Sequence, residues 1–295
     1  MKLVLILAVF FIFYSFGIAV VENMHVNREV QAFKDRAVFV KEELFLYRSG
    51  VVQHRKYYEV PRETSYELLD KRPVFTHDNR RLLGQKGDIF VTQESPFPHL
   101  FGIHQFITYY FGGHAAIHNG INGFIEATGF PEGDETVLKI MLHRGQNPHN
   151  YSVTAKNTQT NYWLEPQFRD ETAAEYPYYG PYYRNHFMIL RVKDITEEEI
   201  DRVVDYALDQ VDVALYNFLF ALDMTYKYYC TDLVSRAYQH VLVEPNKQRE
   251  FSRALNDDGF ITSVNDLILS KQTYLVAYVE VIDNVFHIYY LQDIE

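Results

Sequence analysis

The order of hydrophobic segments along this 295-residue chain predicts an α+β fold. Short β-rich segments come first, two amphipathic helices follow, and two further strands come last. Hydrophobic residues form 47% of the sequence and charged residues 23%, so a packed core can form beneath a soluble surface. The chain as a whole is therefore not expected to be disordered.

The first residues form a long apolar run. After Met1 and Lys2, residues 3–21 contain no charged side chain. A helix of this length spans about 28 Å, close to the hydrocarbon thickness of a bilayer. A cleaved secretory signal peptide is one interpretation. An uncleaved anchor is favoured, because the run is long and no small-x-small cleavage site lies at its end. The sequence predicts a single-pass transmembrane signal anchor at residues 1–21, with the remainder extracytoplasmic at the cell membrane, or secreted if the segment is cleaved.

Residues 22–83 are predicted to form a helical stalk or a segment that covers the body of the protein. Apolar and charged residues are mixed over residues 22–48, and Pro61 and Pro73 interrupt the segment further on. The main domain is predicted to comprise residues 84–295.

From Gly87 the pattern is typical of strands. Residues 87–92 are β-rich, and the Asn-Gly pairs at 119–120 and 122–123 separate two apolar segments, which predicts a hairpin. Residues 131–185 are irregular and rich in tyrosine, with a strand expected near residues 137–142.

The two helices are predicted from their periodicity. Thr196 and Glu199 form a capping box, and apolar residues then recur at helical spacing through Val211. The second helix begins at Cys230. The other predicted elements are a strand at residues 186–192, a short helix at 263–270, and strands at 274–282 and 285–291 joined at Asp283-Asn284.

Charge and motifs exclude several classes of function. The net charge of −11 argues against nucleic acid as a partner, because phosphate binding requires clustered Lys and Arg. The chain has no phosphate-binding glycine loop, Gly-x-Ser-x-Gly elbow or dinucleotide fingerprint. His114 and His118 would lie roughly 13 Å apart on a strand, so no metal site is predicted.

Cys230 is the only cysteine, so it cannot form an intramolecular disulfide or belong to a multi-cysteine metal site. In an exported protein an odd cysteine indicates an intermolecular pair or a reactive thiol. At a helix N-terminus, unpaired backbone N–H groups and the helix dipole favour the thiolate, which is a nucleophile. The alternative is a buried cysteine that acts as a small apolar side chain.

A cysteine nucleophile needs an imidazole to accept its proton and a third polar group to hold the ring. His114 and Glu126 lie on the two strands of the predicted hairpin and are candidates for these roles. A two-residue turn at Asn119-Gly120 would place them on opposite faces, whereas a three- or five-residue turn would place them on one face. Strand-capping and solvent-facing roles remain the alternatives for the two side chains.

Four ordered motifs resemble a known family. They are Gly-Asp-Ile-Phe at 87–90, Gly-His-Ala-Ala-Ile at 113–117, Phe-Ile-Glu-Ala at 124–127, and Tyr-Cys-Thr-Asp-Leu-Val at 229–234 with Ala237-Tyr238. Together they resemble the circularly permuted NlpC-type cysteine peptidases, the YiiX-like group, over residues 84–280. The resemblance implies a permuted papain-like domain, in which an antiparallel sheet or partial barrel packs on helices.

By position, the resemblance implies that Cys230 is the nucleophile, His114 the general base and Glu126 the orienting residue. It implies no cofactor. The candidate substrate-binding residues are Tyr229 and, from the Tyr-rich segment, Tyr178 and Tyr179. A role in the core or in a lid is the alternative.

The function implied is an extracytoplasmic thiol hydrolase that cleaves an amide bond in cell-wall or other small peptides. Two alternatives are a lipid-directed thiol acyltransferase or amidase, and a non-catalytic papain-like binding domain. Thr231 stands where the family often has serine, and the segment 134–185 is longer than the family pattern, so substrate specificity is left open.

Overall fold

The computed structural model describes residues 2–47, 50–77, 81–220, 225–242 and 261–294, with side chains from residue 13 onward. Its strands are β1 (Val38–Leu46), β2 (Val52–Val60), β3 (Ile89–Thr92), β4 (His114–His118), β5 (Phe124–Ala127), β6 (Ala155–Asn157), β7 (His186–Val192), β8 (Leu215–Tyr216), β9 (Lys227–Tyr228), β10 (Thr273–Ile282) and β11 (Val285–Leu291). Its helices are α1 (Lys2–Asp35), α2 (Ser65–Leu69), α3 (Ile103–Phe106), α4 (Val137–Leu142), α5 (Tyr176–Tyr179), α6 (Glu197–Leu208), α7 (Cys230–Leu242) and α8 (Val264–Leu269), with a π-helical turn at Ile107–Phe111.

Nine of the described strands form one sheet, in the order β1-β2-β11-β10-β7-β3-β4-β5-β6. Neighbouring strands are antiparallel except for β2 and β11, which run parallel. Strands β8 and β9 form a small separate parallel pair. Helix α7 packs on α6 and against β4 and β5, and it buries Leu233, Val234 and Ala237 completely. This architecture confirms the predicted α+β class.

The helical stalk predicted for residues 22–83 is wrong over much of its length. Helix α1 ends at Asp35, and residues 38–60 form the hairpin β1–β2, whose second strand pairs with β11. The strand pattern is hidden in the sequence because β1 is an edge strand and is exposed along most of its length. Strands from both sides of the predicted 83/84 boundary therefore belong to one sheet.

Helix α1 contains residues 2–21 of the predicted signal anchor. In the part of the chain that the structure describes, no helix combines the length and the hydropathy that crossing a bilayer requires. Met1 and the side chains of residues 2–12 lie outside the described residues, and most of the predicted anchor falls there. The transmembrane helix therefore has no support from the structure.

The strand predicted near residues 137–142 is the short helix α4. Thr136 caps it, because its side chain accepts a hydrogen bond from the backbone N–H of Lys139 at 3.3 Å. Only Ile140 of this helix is buried. A short apolar run does not distinguish a strand from a helix, and here the cap decides between them.

The later elements follow the sequence patterns closely. The Thr196 hydroxyl accepts from the N–H of Glu199, and the Glu199 carboxylate accepts from the N–H of Thr196, which confirms the capping box. Asp283 and Asn284 both have positive φ, 50° and 62°, as a two-residue hairpin turn between β10 and β11 requires.

A buried ion network joins the N-terminal residues to the sheet. The Arg191 side chain is 1% exposed and donates from Nε to Asp88 Oδ1 at 2.8 Å. Its Nη1 donates to Asp70 Oδ2 at 3.2 Å and to the carbonyl oxygen of Arg72 at 2.8 Å, and Nη2 donates to the carbonyl of Pro73. Burial raises the pKa of Asp70, but Arg72, Arg191 and a hydrogen bond from Tyr274 outweigh it and hold this pKa well below its usual range.

Candidate active site

The hairpin β4–β5 places two polar side chains on one face of the sheet. Ile117 pairs with Ile125 and His118 with Phe124, so residues 119–123 form a five-residue turn. The N–H of Asn119 donates to the carbonyl oxygen of Gly123 at 2.9 Å and closes this turn. This is one of the two turn lengths that place His114 and Glu126 on the same face.

His114 and Glu126 are in direct contact. The His114 Nε2 lies 2.5 Å from Glu126 Oε2, and the two side chains are 13% and 4% exposed. The Tyr162 hydroxyl donates to the same carboxylate oxygen, also at 2.5 Å. A carboxylate that is held by both groups has a fixed orientation, and it fixes the histidine ring in turn.

An aromatic cluster from the Tyr-rich segment packs behind the histidine. The Trp163 ring stacks on the His114 ring with centroids 6.0 Å apart, and Tyr183 meets the same ring edge-on at 6.3 Å. Tyr183 also contacts Tyr162 and Trp163 at 4.7 and 4.9 Å. Tyr162 and Trp163 are functional candidates that no motif in the sequence predicts, and the one feature that distinguishes them there is that Trp163 is the only tryptophan in the chain.

Cys230 is the first residue of α7 and is partly exposed. Helix α7 packs directly against β4, and an interaction with the Cys230 side chain is among the effects that raise the pKa of His114. At the N-terminus of a helix, the thiol lies beside the backbone N–H groups of the first turn. The structure thus places His114 against Glu126 and on the strand that α7 packs against.

Glycine is required immediately before the histidine strand. A Cβ atom on Gly113 would lie 1.7 Å from the carbonyl oxygen of Glu94, which no side chain can accommodate. The N–H of Gly113 donates to the carbonyl of Thr92 at 2.8 Å and holds β4 against β3. This close approach fixes the start of β4 and, with it, the position of His114.

Opposing effects set the pKa of His114. Burial lowers it, whereas the Tyr183 oxygen, the hydrogen bond with Cys230 and the Glu126 carboxylate raise it, and the result lies well above the ordinary histidine value. Burial, together with the Glu126 charge, also raises the pKa of Tyr162, which keeps its hydroxyl protonated as a donor. The imidazole is therefore a strong acceptor for a proton from the thiol.

The raised pKa predicts a pH-dependent stability. A group whose pKa is higher in the folded than in the unfolded state stabilises the fold most at pH values below its unfolded-state pKa, which is about 6.5 for histidine. This stabilisation is lost as the pH rises through the folded-state pKa. We expect the difference in free energy of unfolding between wild type and His114→Gln to be largest at or below about pH 6.5 and to shrink above it. Urea unfolding at a series of pH values measures this difference. A difference that grows with rising pH would contradict the assignment.

The three candidate substrate-binding tyrosines lie in different environments. Tyr179 is buried and its hydroxyl donates to the carbonyl of Ser95 at 2.8 Å. Tyr229 is also buried, and its hydroxyl accepts from the N–H of Thr262 at 2.9 Å. Tyr178 is 50% exposed. The hydroxyls of the two buried rings are already used within the fold, so a role for these tyrosines in substrate binding stays a prediction.

Among the described residues, no group of three or more His, Cys, Asp or Glu side chains is placed to hold a metal ion. His118 is fully buried and stacks on Phe90 with centroids 5.9 Å apart. Its Nδ1 accepts from the N–H of Gly120 at 3.2 Å, and burial lowers its pKa. His118 is thus a neutral core residue that helps to shape the turn.

The comparison with protein families found a match in the part of the chain that contains Cys230. Residues 177–281 match the family model described as permuted papain-like amidase enzyme, YaeF/YiiX, C92 family. The matching family is the C92 peptidases. The match confirms the resemblance predicted from the motifs over this segment, which includes Cys230 and α7, whereas His114 and Glu126 precede it.

The C92 match supports a papain-like amidase or peptidase activity, that is, a hydrolase with a peptide or amide substrate. The mixed sheet-and-helix architecture is consistent with a papain-like fold. No curated protein and no solved structure matches the chain.

Proposed function

We propose that this protein is a thiol amidase, with Cys230 as nucleophile, His114 as general base and Glu126 as the residue that orients the histidine. The observation that carries the proposal is the direct contact of the His114 ring with the Glu126 carboxylate on a strand against which the Cys230 helix packs, and Cys230 is the only cysteine of the chain. Nucleophile, base and orienting group in hydrogen-bonded order are the arrangement that cysteine nucleophiles use.

The first step is proton transfer and attack. Because Nε2 of His114 faces Glu126, the other ring nitrogen, Nδ1, is assigned to the thiol. Nδ1 accepts the thiol proton, and the sulfur of Cys230 forms a bond to the carbonyl carbon of the substrate. The carbonyl oxygen then becomes an oxyanion, and the backbone N–H groups at the start of α7 are assigned as its hydrogen-bond donors.

The second step releases the amine and restores the enzyme. The C–N bond breaks as the His114 imidazolium gives its proton to the leaving nitrogen, which leaves a thioester on Cys230. His114 then takes a proton from water, the hydroxide attacks the thioester carbonyl, and the C–S bond breaks. The products are a carboxylic acid and a free amine, and the thiol regains its proton.

The exposure of Cys230 bears on the non-catalytic alternative. A binding domain that retained only the fold would not need a partly exposed thiol at the start of the helix that packs against the histidine strand. The proposed substrates are amides of small peptides, including those of the cell wall. The extracytoplasmic location is also proposed, and it rests on the uncharged run at residues 3–21.

Alkylation of the thiol tests the proposal without knowledge of the substrate. Because Cys230 is the only cysteine, iodoacetamide uptake measured by mass spectrometry reports on one site. At pH 6 an ordinary thiol is almost fully protonated, so rapid alkylation requires a neighbouring base. We expect His114→Ala to slow alkylation at pH 6 by about tenfold or more.

The matched control is His186→Ala. His186 also begins a strand and also has a carboxylate neighbour, Glu94, at 3.5 Å. This variant should keep the wild-type alkylation rate. Equal rates for wild type and His114→Ala would refute the proposed base.

A further inference from the structure

A second uncharged segment lies directly before the histidine strand. No Asp, Glu, Lys or Arg occurs between Glu94 and Glu126. Residues 95–111 of this stretch, which include α3 and the π-helical turn, form a largely surface-lying segment that we call the apolar loop. Phe101 is 91% exposed, Phe106 53% and Ile103 49%, and Leu100 and Tyr109 are also exposed. A contiguous exposed apolar surface of this kind marks an interaction site.

The apolar loop contacts α1, which contains the other uncharged run of the chain. The rings of Phe16 and Tyr110 lie 6.4 Å apart, and Asn23 donates to the carbonyl oxygen of Tyr109 at 3.2 Å. Phe13, Tyr14 and Phe16 of α1 are themselves at least half exposed, at 71%, 59% and 50%. The two uncharged segments therefore form one continuous surface.

This surface leads to the nucleophile. The loop continues through Gly112 and Gly113 into His114, so it is attached directly to the general base. On the other side, Phe111 contacts Phe220 at 5.4 Å, and Phe220 contacts Tyr229, the residue before Cys230, at 5.3 Å. Aromatic contacts thus extend from the exposed loop to the start of α7.

We propose that the apolar loop and the exposed side of α1 dock on a phospholipid bilayer. A bilayer is the occupant that fits, because residues 3–21 have the length and composition of a membrane-inserting segment and because residues 3–21 and 95–111 contain no Asp, Glu, Lys or Arg. Exposed Phe and Tyr side chains are typical of segments that lie in a membrane interface. The docking does not depend on the proposed function.

The test uses the full chain and vesicles of phosphatidylcholine with brominated acyl chains, which quench tryptophan that enters the bilayer. The probe is Phe101→Trp, and the native Trp163 is a constant background because it is 1% exposed. The control is Leu69→Trp, since Leu69 is 71% exposed. Leu69 is next in the chain to Asp70, which belongs to the network with Arg191 and Asp88. Asp88 directly precedes β3 and the apolar loop follows β3, so the control and the probe lie toward opposite ends of this strand.

We expect brominated vesicles to quench the Phe101→Trp signal and to leave Leu69→Trp at the wild-type level. Vesicle binding without quenching of Phe101→Trp would mean that α1 alone contacts the bilayer and would overturn the proposal. Equal quenching of both probes would also overturn it. Cys230→Ala added to the Phe101→Trp protein should retain the quenching, so a failure of the catalytic proposal is distinguishable from a failure of docking.

Discussion

Replacement of His114 by alanine is expected to lower kcat/KM for amide cleavage by about 10⁴-fold, because the variant loses both the acceptor for the thiol proton and the donor for the leaving amine. Cys230→Ala should have an effect of similar size. The two losses should not add in the double variant, since the groups act as one unit. Hydrolysis of a chromogenic amide, with folding checked by circular dichroism, measures the effect.

Substitutions of the two residues behind His114, Glu126 and Tyr162, should lower kcat/KM by different amounts. Glu126→Gln retains the shape of the side chain but removes the charge that orients His114, and Tyr162→Phe removes only the hydroxyl that contacts Glu126 at 2.5 Å. We expect a loss of about ten- to hundredfold for Tyr162→Phe and a larger loss for Glu126→Gln. Wild-type activity in His114→Ala, or a greater loss in Tyr162→Phe than in Glu126→Gln, would contradict the assigned roles.

The second large effect concerns stability. Arg191→Met should lower the free energy of unfolding by about 3–5 kcal/mol, because it leaves the buried Asp88 carboxylate without its cation and leaves Asp70 paired with Arg72 and no longer with Arg191. Asp88 is fully buried, so water cannot replace the lost hydrogen bonds. Urea unfolding followed by the fluorescence of the single tryptophan measures the change.

An exposed ion pair provides the matched control. Lys86 and Asp201 lie 2.7 Å apart with side chains that are 40% and 58% exposed. Lys86→Met should change the free energy of unfolding by no more than about 1 kcal/mol. The network would have no special role if the two methionine variants lost equal stability.

Local patterns predicted the elements that carry the candidate site. The lone cysteine at a helix start, the Gly-His motif and the pairing rule of a hairpin made Cys230, His114 and Glu126 candidates, and the family resemblance implied their roles. The turn at residues 119–123 agrees with one of the expected lengths. The elements and the turn could be predicted because each depends on a few neighbouring residues.

Long-range packing was not accessible from the sequence. Tyr162 reaches Glu126 from 36 positions away, and the path of an irregular segment has no periodicity from which to infer it. The hairpin β1–β2 was missed for another reason. At the edge of a sheet, an exposed strand can carry charges on either face, and the alternation that identifies strands is lost.

The parallel pairing of β2 with β11 has a consequence for biosynthesis. Tyr290 and Glu59, which are hydrogen-bonded between these strands, are 231 positions apart. The hairpin β1–β2 leaves the ribosome early, but the strand on which it docks is made after all the others in the sheet. The sheet can therefore be completed only when synthesis has passed residue 291, and until then the inner edge of β2 is open to pairing with other chains.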